Sequence, residues 1–197
     1  MFDISKSKVV CIGRNYIEHI HELQNEIPTN PVIFMKPNSA ISNTINLHSN
    51  IETHYETEMV FHFDSNNDVD GVAIGLDLTD RNLQSYLKSK GLPWELAKAF
   101  DGSAVIGGFV KIDCNNIDKL SFKSYKNNTL VQLGNYNQMI YKPDIILNFL
   151  KENNISFLEN DLLMSGTPIG VGVINNSDTF RVELFCENEL ILETIFK

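Results

Sequence analysis

Glu56-Thr57-Glu58 opens the run Thr57-Glu58-Met59-Val60-Phe61-His62-Phe63, which alternates loosely and reads as a β-strand. On a strand, side chains two positions apart share a face, so Glu56 and Glu58 point the same way. Adjacent buried carboxylates repel unless a cation or a proton lies between them. Asp64 to Gly71 (DSNNDVDG) is a turn by composition, and Val72 to Leu76 is a second strand with Asp77 at its end. A neighbouring strand would bring Asp77 to the two glutamates. Three carboxylates without a cysteine make a hard oxygen site, suited to Mg2+, Mn2+ or Ca2+ rather than Zn2+. Alone, Glu-x-Glu fits a solvated acidic strand face equally well. His54, on the same face, is either a fourth ligand or only a neighbour. The turn is no calcium loop, because its glycine is misplaced and Gly75 stands where the closing acid belongs.

Working outward, Lys8 to Ile12 and Pro31 to Met35 are strand candidates. Tyr16 to Leu23 is polar with scattered apolar residues and reads as a short helix or a mobile segment. Arg81 to Lys90 carries Leu83, Tyr86 and Leu87 at helical spacing and stops at Gly91-Leu92-Pro93. Val105 to Ile112 is a strand broken by Gly107-Gly108. Asp113 to Asn137 is rich in asparagine and short strands, and Asp144 to Asn153 is an amphipathic helix. Phe180 to Cys186 and Glu189 to Phe196 are strands joined at Glu187-Asn188. The pattern predicts one strand-rich α+β domain over residues 1–197 with a few short helices.

The composition, 43% hydrophobic and 21% charged, is that of an ordinary globular protein. The formal charge of −9 argues against nucleic acid or an anionic membrane as partner. A small anion is still compatible, since a metal or a lysine reverses the field locally. No apolar run approaches the roughly 18 residues of a membrane span. The start Met1-Phe2-Asp3-Ile4-Ser5-Lys6 lacks a secretory pattern. Cys11, Cys114 and Cys186 have no CxxC spacing and read as reduced thiols, so the expected compartment is the cytoplasm.

Three further constellations carry chemistry. His19 and Glu22 share a helix face at i, i+3, where the carboxylate would hold the imidazole as a general base; a plain surface pair has the same spacing. Lys98, flanked by Leu96, Ala97 and Phe100, is either partly buried against an anionic partner or a surface lysine with a packed stem. Ser165-Gly166-Thr167-Pro168-Ile169-Gly170-Val171-Gly172 is a glycine-rich loop that permits close backbone approach to a ligand. It is not a P-loop, because no Gly-Lys-Ser/Thr follows.

In order along the chain, CIGRNYIEHIHEL, PVIFMKP, HYETEM, GLDLTDRNLQ, KGLPWELAKAFDG and LLMSGTPIGVG resemble the fumarylacetoacetate hydrolase family, and most closely its small acylpyruvase and oxaloacetate decarboxylase members. The resemblance implies a mixed β-sheet roll like that family's C-terminal domain, a homodimer, and Mg2+ or Mn2+. It implies Glu56, Glu58 and Asp77 as metal ligands, and His19 and Glu22 as a catalytic dyad on a segment that orders over substrate. Lys98 is implied as the active-site lysine, and Arg81, Gln84 and Thr167 as groups that contact or frame the substrate. The substrate would be a short 2-oxo acid, cleaved by acylpyruvate hydrolysis or oxaloacetate decarboxylation with release of pyruvate. The rival readings are a 2-oxo dienoate hydratase or isomerase and a non-catalytic metal-binding protein. One departure stands out. The family's Asn-Gly turn and Arg-Gln pair are here Asn127-Asn128 and Val131-Gln132.

Overall fold

The computed structural model describes residues 2–197. The strands are β1 (Val9–Gly13), β2 (Val32–Lys36), β3 (Ile41–Ser42), β4 (Thr53–Tyr55), β5 (Thr57–Phe63), β6 (Val69–Asp77), β7 (Thr79–Asp80), β8 (Ala104–Ile106), β9 (Val110–Lys111), β10 (Leu120–Lys126), β11 (Thr129–Asn135), β12 (Leu162–Met164), β13 (Gly172–Val173), β14 (Phe180–Cys186) and β15 (Glu189–Phe196). The helices are α1 (Ile17–Glu22), α2 (Arg81–Ser89), α3 (Glu95–Lys98) and α4 (Pro143–Glu152).

The large sheet runs β2-β1-β12-β5-β6-β8-β3, with β9 also paired to β6. It is mixed, because β1 pairs β12 and β3 pairs β8 in parallel while the other pairs are antiparallel. An antiparallel sheet, β11-β10-β14-β15, packs against it, and β13-β4-β7 closes the end nearest the acidic residues. The chain is a strand-rich mixed β-roll.

All of β5 is buried, and its alternation sorts the residues. Met59, Phe61 and Phe63 join Phe122, Phe180, Val182, Leu184 and Phe196 in the core between the sheets. Val60, on the opposite face, packs with Val9, Cys11 and Met164. Glu58 is on that second face.

Seven-residue strands β10 and β11 form a hairpin, longer than the short strands expected from the sequence. Asn127 (φ 51°) and Asn128 (φ 66°) take the left-handed turn that a glycine would otherwise occupy. Helix α2 ends where the Gly91 stop places it, but its buried face differs from the apolar reading. Leu87 and Gln84 are buried, whereas Tyr86 is exposed. Segment 16–23 is a helix whose anchors Tyr16 and Ile20 are buried.

Asp178 fastens the β10–β11 turn to the loop before β14. It accepts from the Asn175 main-chain N–H (2.7 Å) and the Asn127 amide (2.7 Å), and it pairs with Lys126 (2.8 Å). Burial pushes its pKa up, but Lys126 and these donors outweigh burial and hold it at about 2, below the ordinary 3.8. A depressed folded-state value means that the stabilisation is present above about pH 4 and is lost as the pH falls towards about 2. Asp178→Ala should lower the melting temperature by a few degrees at neutral pH. In thermal melts, the gap to the unmodified chain should close on acidification.

Candidate active site

The β5–β6 register builds the acidic centre. Thr57 pairs with Leu76 and Glu58 with Gly75, and the Asp77 N–H donates to the Glu56 carbonyl at 2.9 Å. Glu56, Glu58 and Asp77 therefore fall on one face of two adjacent strands. Gly75 opposite Glu58 lets the strands pack closely here, since a Cβ there would come within 2.8 Å of Val60. One carboxylate oxygen from each residue lies within 4.8 Å of the others, and all three residues are buried.

Three cations answer them. Lys98, on α3, is fully buried and gives its ammonium to Asp77 Oδ2 (2.6 Å), Thr79 Oγ1 (2.7 Å) and Glu56 Oε2 (3.0 Å). Burial opposes its charge, but Asp77 and Glu56 outweigh that and hold its pKa above the ordinary lysine value. An ammonium has three donors, and all three are engaged. For the implied active-site lysine to donate to a substrate oxygen, one of these bonds has to open. Arg81, at the first turn of α2, pairs with Glu56 Oε1 and donates to Gln84 at 2.9 Å. Burial raises the Glu56 pKa, but Lys98 and Arg81 overcome it, and Glu56 stays ionised.

Lys36 is the third cation, and the sequence reading gave it no role. It is completely buried, 2.8 Å from Asp77 Oδ1, and it donates to the Lys98 carbonyl. A signal for it existed: Phe34 and Lys36 alternate onto one face of an otherwise apolar strand.

Glu58 has no cation of its own. It accepts the Gly166 N–H at 2.8 Å, and burial, then Asp77 and Glu56, push its pKa well up. Gly166 sits at φ 86°, and a Cβ there would meet Asn15 at 2.8 Å. Asp77 Oδ1 is buried and, although close to Lys36, is not aligned for any hydrogen bond. An orphaned buried carboxylate oxygen beside a cation-free glutamate, in an all-oxygen donor set, fits a hard divalent ion. His54 stays outside this set, with Nε2 on Glu52 at 3.2 Å.

The expected dyad is formed. His19 Nδ1 and Glu22 Oε2 are 2.8 Å apart, and Glu22 Oε1 accepts the Gly170 N–H at 3.0 Å. The carboxylate assigns the proton to Nδ1 and leaves Nε2 without a partner among the described residues. His19, Glu56, Glu58, Arg81, Gln84, Lys98 and Thr167 all border one cavity of about 40 Å³; Glu22 and Asp77 stand behind it. The Thr167 hydroxyl is already committed, donating to the Thr57 carbonyl (2.9 Å) and accepting from Gln132 (2.8 Å). Gln132, surviving partner of the replaced arginine, also accepts the Thr57 N–H at 3.0 Å, so it joins the glycine loop to β5.

Titratable groups converging in one concave site define an enzyme by class. The comparisons agree. The model of the fumarylacetoacetate (FAA) hydrolase C-terminal family matches residues 8–194. The mitochondrial oxaloacetate tautomerase of Bos taurus is 35% identical over 191 residues, covering 88% of this chain and 85% of that protein. The mitochondrial oxaloacetate decarboxylase of Dictyostelium discoideum is 33% identical over 191 residues, 88% of this chain and 87% of that one. The crystal structure of fumarylpyruvate hydrolase from Pseudomonas aeruginosa, in complex with Mn2+ and pyruvate, superposes with TM-score 0.84 at 26% identity, covering 98% of this chain and 89% of that one. The chain belongs to the fumarylacetoacetate hydrolase family of enzymes.

Lys36 is the clearest stability test of the site. Breaking a buried ion pair costs about 3–5 kcal/mol when it leaves the partner unpaired. Asp77 keeps Lys98, so Lys36→Met, which keeps the stem, should lower unfolding free energy by less, about 1–3 kcal/mol, in denaturant titrations.

Proposed function

We propose that this chain is a divalent-metal-dependent enzyme acting on a short 2-oxo acid of the oxaloacetate type, moving the proton beside the 2-oxo group and breaking the bond from that carbon to the distal carboxylate, which leaves as CO2 while the remaining enolate takes up a proton to give pyruvate. The observation that carries the reading is the single cavity in which His19 stands with Glu56 and Glu58. Similarity to an oxaloacetate tautomerase and an oxaloacetate decarboxylase supports the substrate class.

Glu56, Glu58 and Asp77 would hold Mg2+ or Mn2+, with Ca2+ also compatible with an all-oxygen set. Bound there, the ion would supply Lewis-acid polarisation of the 2-oxo group. His19 Nε2 takes or returns the proton at the carbon beside that group, while Glu22 fixes the tautomer and steadies the imidazolium. Arg81 and Gln84 border the same space and orient the acid's oxygens, and Thr167 frames the glycine-loop side. Lys98 keeps Glu56 and Asp77 ionised and aimed. Helix α1, tied to Gly170 through Glu22, excludes water from the cavity. A second reading, acylpyruvate hydrolysis with the dyad activating water, is favoured by likeness to the fumarylpyruvate hydrolase.

On the family resemblance the active unit is a homodimer; light scattering at working concentration should show it, and a monomer would refute it. The cytoplasm is the compartment proposed. Support comes from free Cys11, Cys114 and Cys186, whereas the names of the relatives carry the word mitochondrial. Among the described residues no helix is long and apolar enough to cross a membrane.

Purified protein with Mg2+ should interconvert keto and enol oxaloacetate, release pyruvate, and lose these activities in a chelator. Glu22→Ala should depress keto–enol interconversion and any acylpyruvate hydrolysis by about a hundredfold to ten-thousandfold, the range of a lost general base. Decarboxylation, which needs no base for bond breaking, should fall much less. Equal losses in every reaction would mean that the pair only places substrate or holds α1 down.

A further inference from the structure

The cavity has an outer half that the reading above leaves unused. Arg81, Gln84 and Lys88 follow one another at i, i+3 and i+7, so α2 turns a single face to the cavity, and all three border it. Arg14 borders it from the other side, directly after β1, in left-handed backbone (φ 57°). A non-glycine residue held there is worth explaining by function. One Arg14 nitrogen donates to Asn25 Oδ1 at 3.0 Å, while Nε is buried without a partner.

Lys88 is half-buried over the Trp94 ring, 4.7 Å from its centroid, and has no carboxylate or hydrogen-bond acceptor among the described residues. Burial first, then the like charges of Arg14 and Arg81, draws its pKa down to about 8. Of the anions near this group, Glu56 is already shared between Lys98 and Arg81. The cavity thus joins buried carboxylates to two cations, Arg14 and Lys88, that lack a carboxylate partner among the described residues.

We propose that Arg14 and Lys88 bind the second carboxylate of a 2-oxo dicarboxylate, and so make the enzyme selective for dicarboxylates over 2-oxo acids that end in an uncharged group. The inference rests on the cavity being a 2-oxo acid site. The 2-oxo carboxylate end lies toward Glu56 and Glu58, and the far carboxylate lies between guanidinium and ammonium. A guanidinium offers two parallel donors to a carboxylate, and the Trp94 ring holds the Lys88 ammonium at the cavity wall. The cationic mouth also explains how a chain of net charge −9 admits a dianion.

The test compares Lys88→Gln and Arg14→Gln with the unmodified enzyme in saturating Mg2+. KM for oxaloacetate, read in keto–enol interconversion where the distal carboxylate does not react, should rise about tenfold to a hundredfold, the range for one lost charged hydrogen bond, with a much smaller change in kcat. The inhibition constant of oxalate, which has the inner end of the substrate but no distal carboxylate, should stay within about threefold. KM for acetylpyruvate, which ends in a methyl group, should likewise hold, and Lys88→Arg should restore oxaloacetate binding. Parallel weakening of oxalate and oxaloacetate would overturn the proposal, because it marks a general loss of field or fold. An unchanged oxaloacetate KM in both variants would overturn it also. Failure of the unmodified enzyme to bind oxalate or turn over any 2-oxo acid would overturn the underlying reading as well. Failure of the variants alone leaves that reading standing.

Discussion

Mutual repulsion among Glu56, Glu58 and Asp77 is the constraint around which this chain is organised. Strand alternation and the β5–β6 register force the three carboxylates onto one buried face, where desolvation costs several kcal/mol per uncompensated charge. The fold answers with charges drawn from three separate places: Lys36 from β2, Lys98 from α3 and Arg81 from α2. Formal charge balances at three against three, but its distribution is uneven. Glu56 and Asp77 take all the cations, and Glu58 is left with one main-chain N–H. That asymmetry, more than the count of acids, marks the site as built for a further positive charge.

The rest of the architecture serves to hold this arrangement. Phe61, Phe63 and the second sheet fill one side of β5 so that its other side can be spent on polar groups. The glycine loop is fixed by Gln132 and Asn15, and it in turn supplies Gly166 to Glu58 and Gly170 to Glu22. The carboxylate centre and the His19–Glu22 pair are therefore joined through one short loop. A change in either would be felt by the other without any direct contact.

Much of this was legible in the sequence, for identifiable reasons. The two final strands begin and end where their turn residues place them, and Glu56 and Glu58 share a face because period-two spacing is a local property, whereas the grouping of Asp77 with them rested on a neighbouring strand and on the resemblance. The i, i+3 spacing put His19 and Glu22 on one helix face but fitted a surface pair equally well, and the ordered motifs supplied both their pairing in a site and the roll. What escaped was non-local. Lys36 has meaning only because β2 lies beneath an aspartate 41 positions later. Arg14 and Lys88, 74 positions apart, are related only because the fold sets both on the wall of one cavity. On α2 itself, the apolar spacing pointed to Tyr86, yet the face that matters is polar, because a cavity rather than the core lies under Gln84. For Lys98 the sequence left burial against an anion and a surface position both open; the fold decides for burial, with all three donors occupied.

The central claim is that the asymmetric carboxylate centre is a divalent-cation site, and direct binding tests it without reference to turnover. Mn2+ can be titrated into the chelator-treated protein at neutral pH while free Mn2+ is read by electron paramagnetic resonance. The account predicts saturable binding of one ion per chain that is abolished by Glu58→Ala in protein that remains folded by circular dichroism. Absence of saturable binding, or full retention of it in the folded Glu58→Ala protein, would contradict the account.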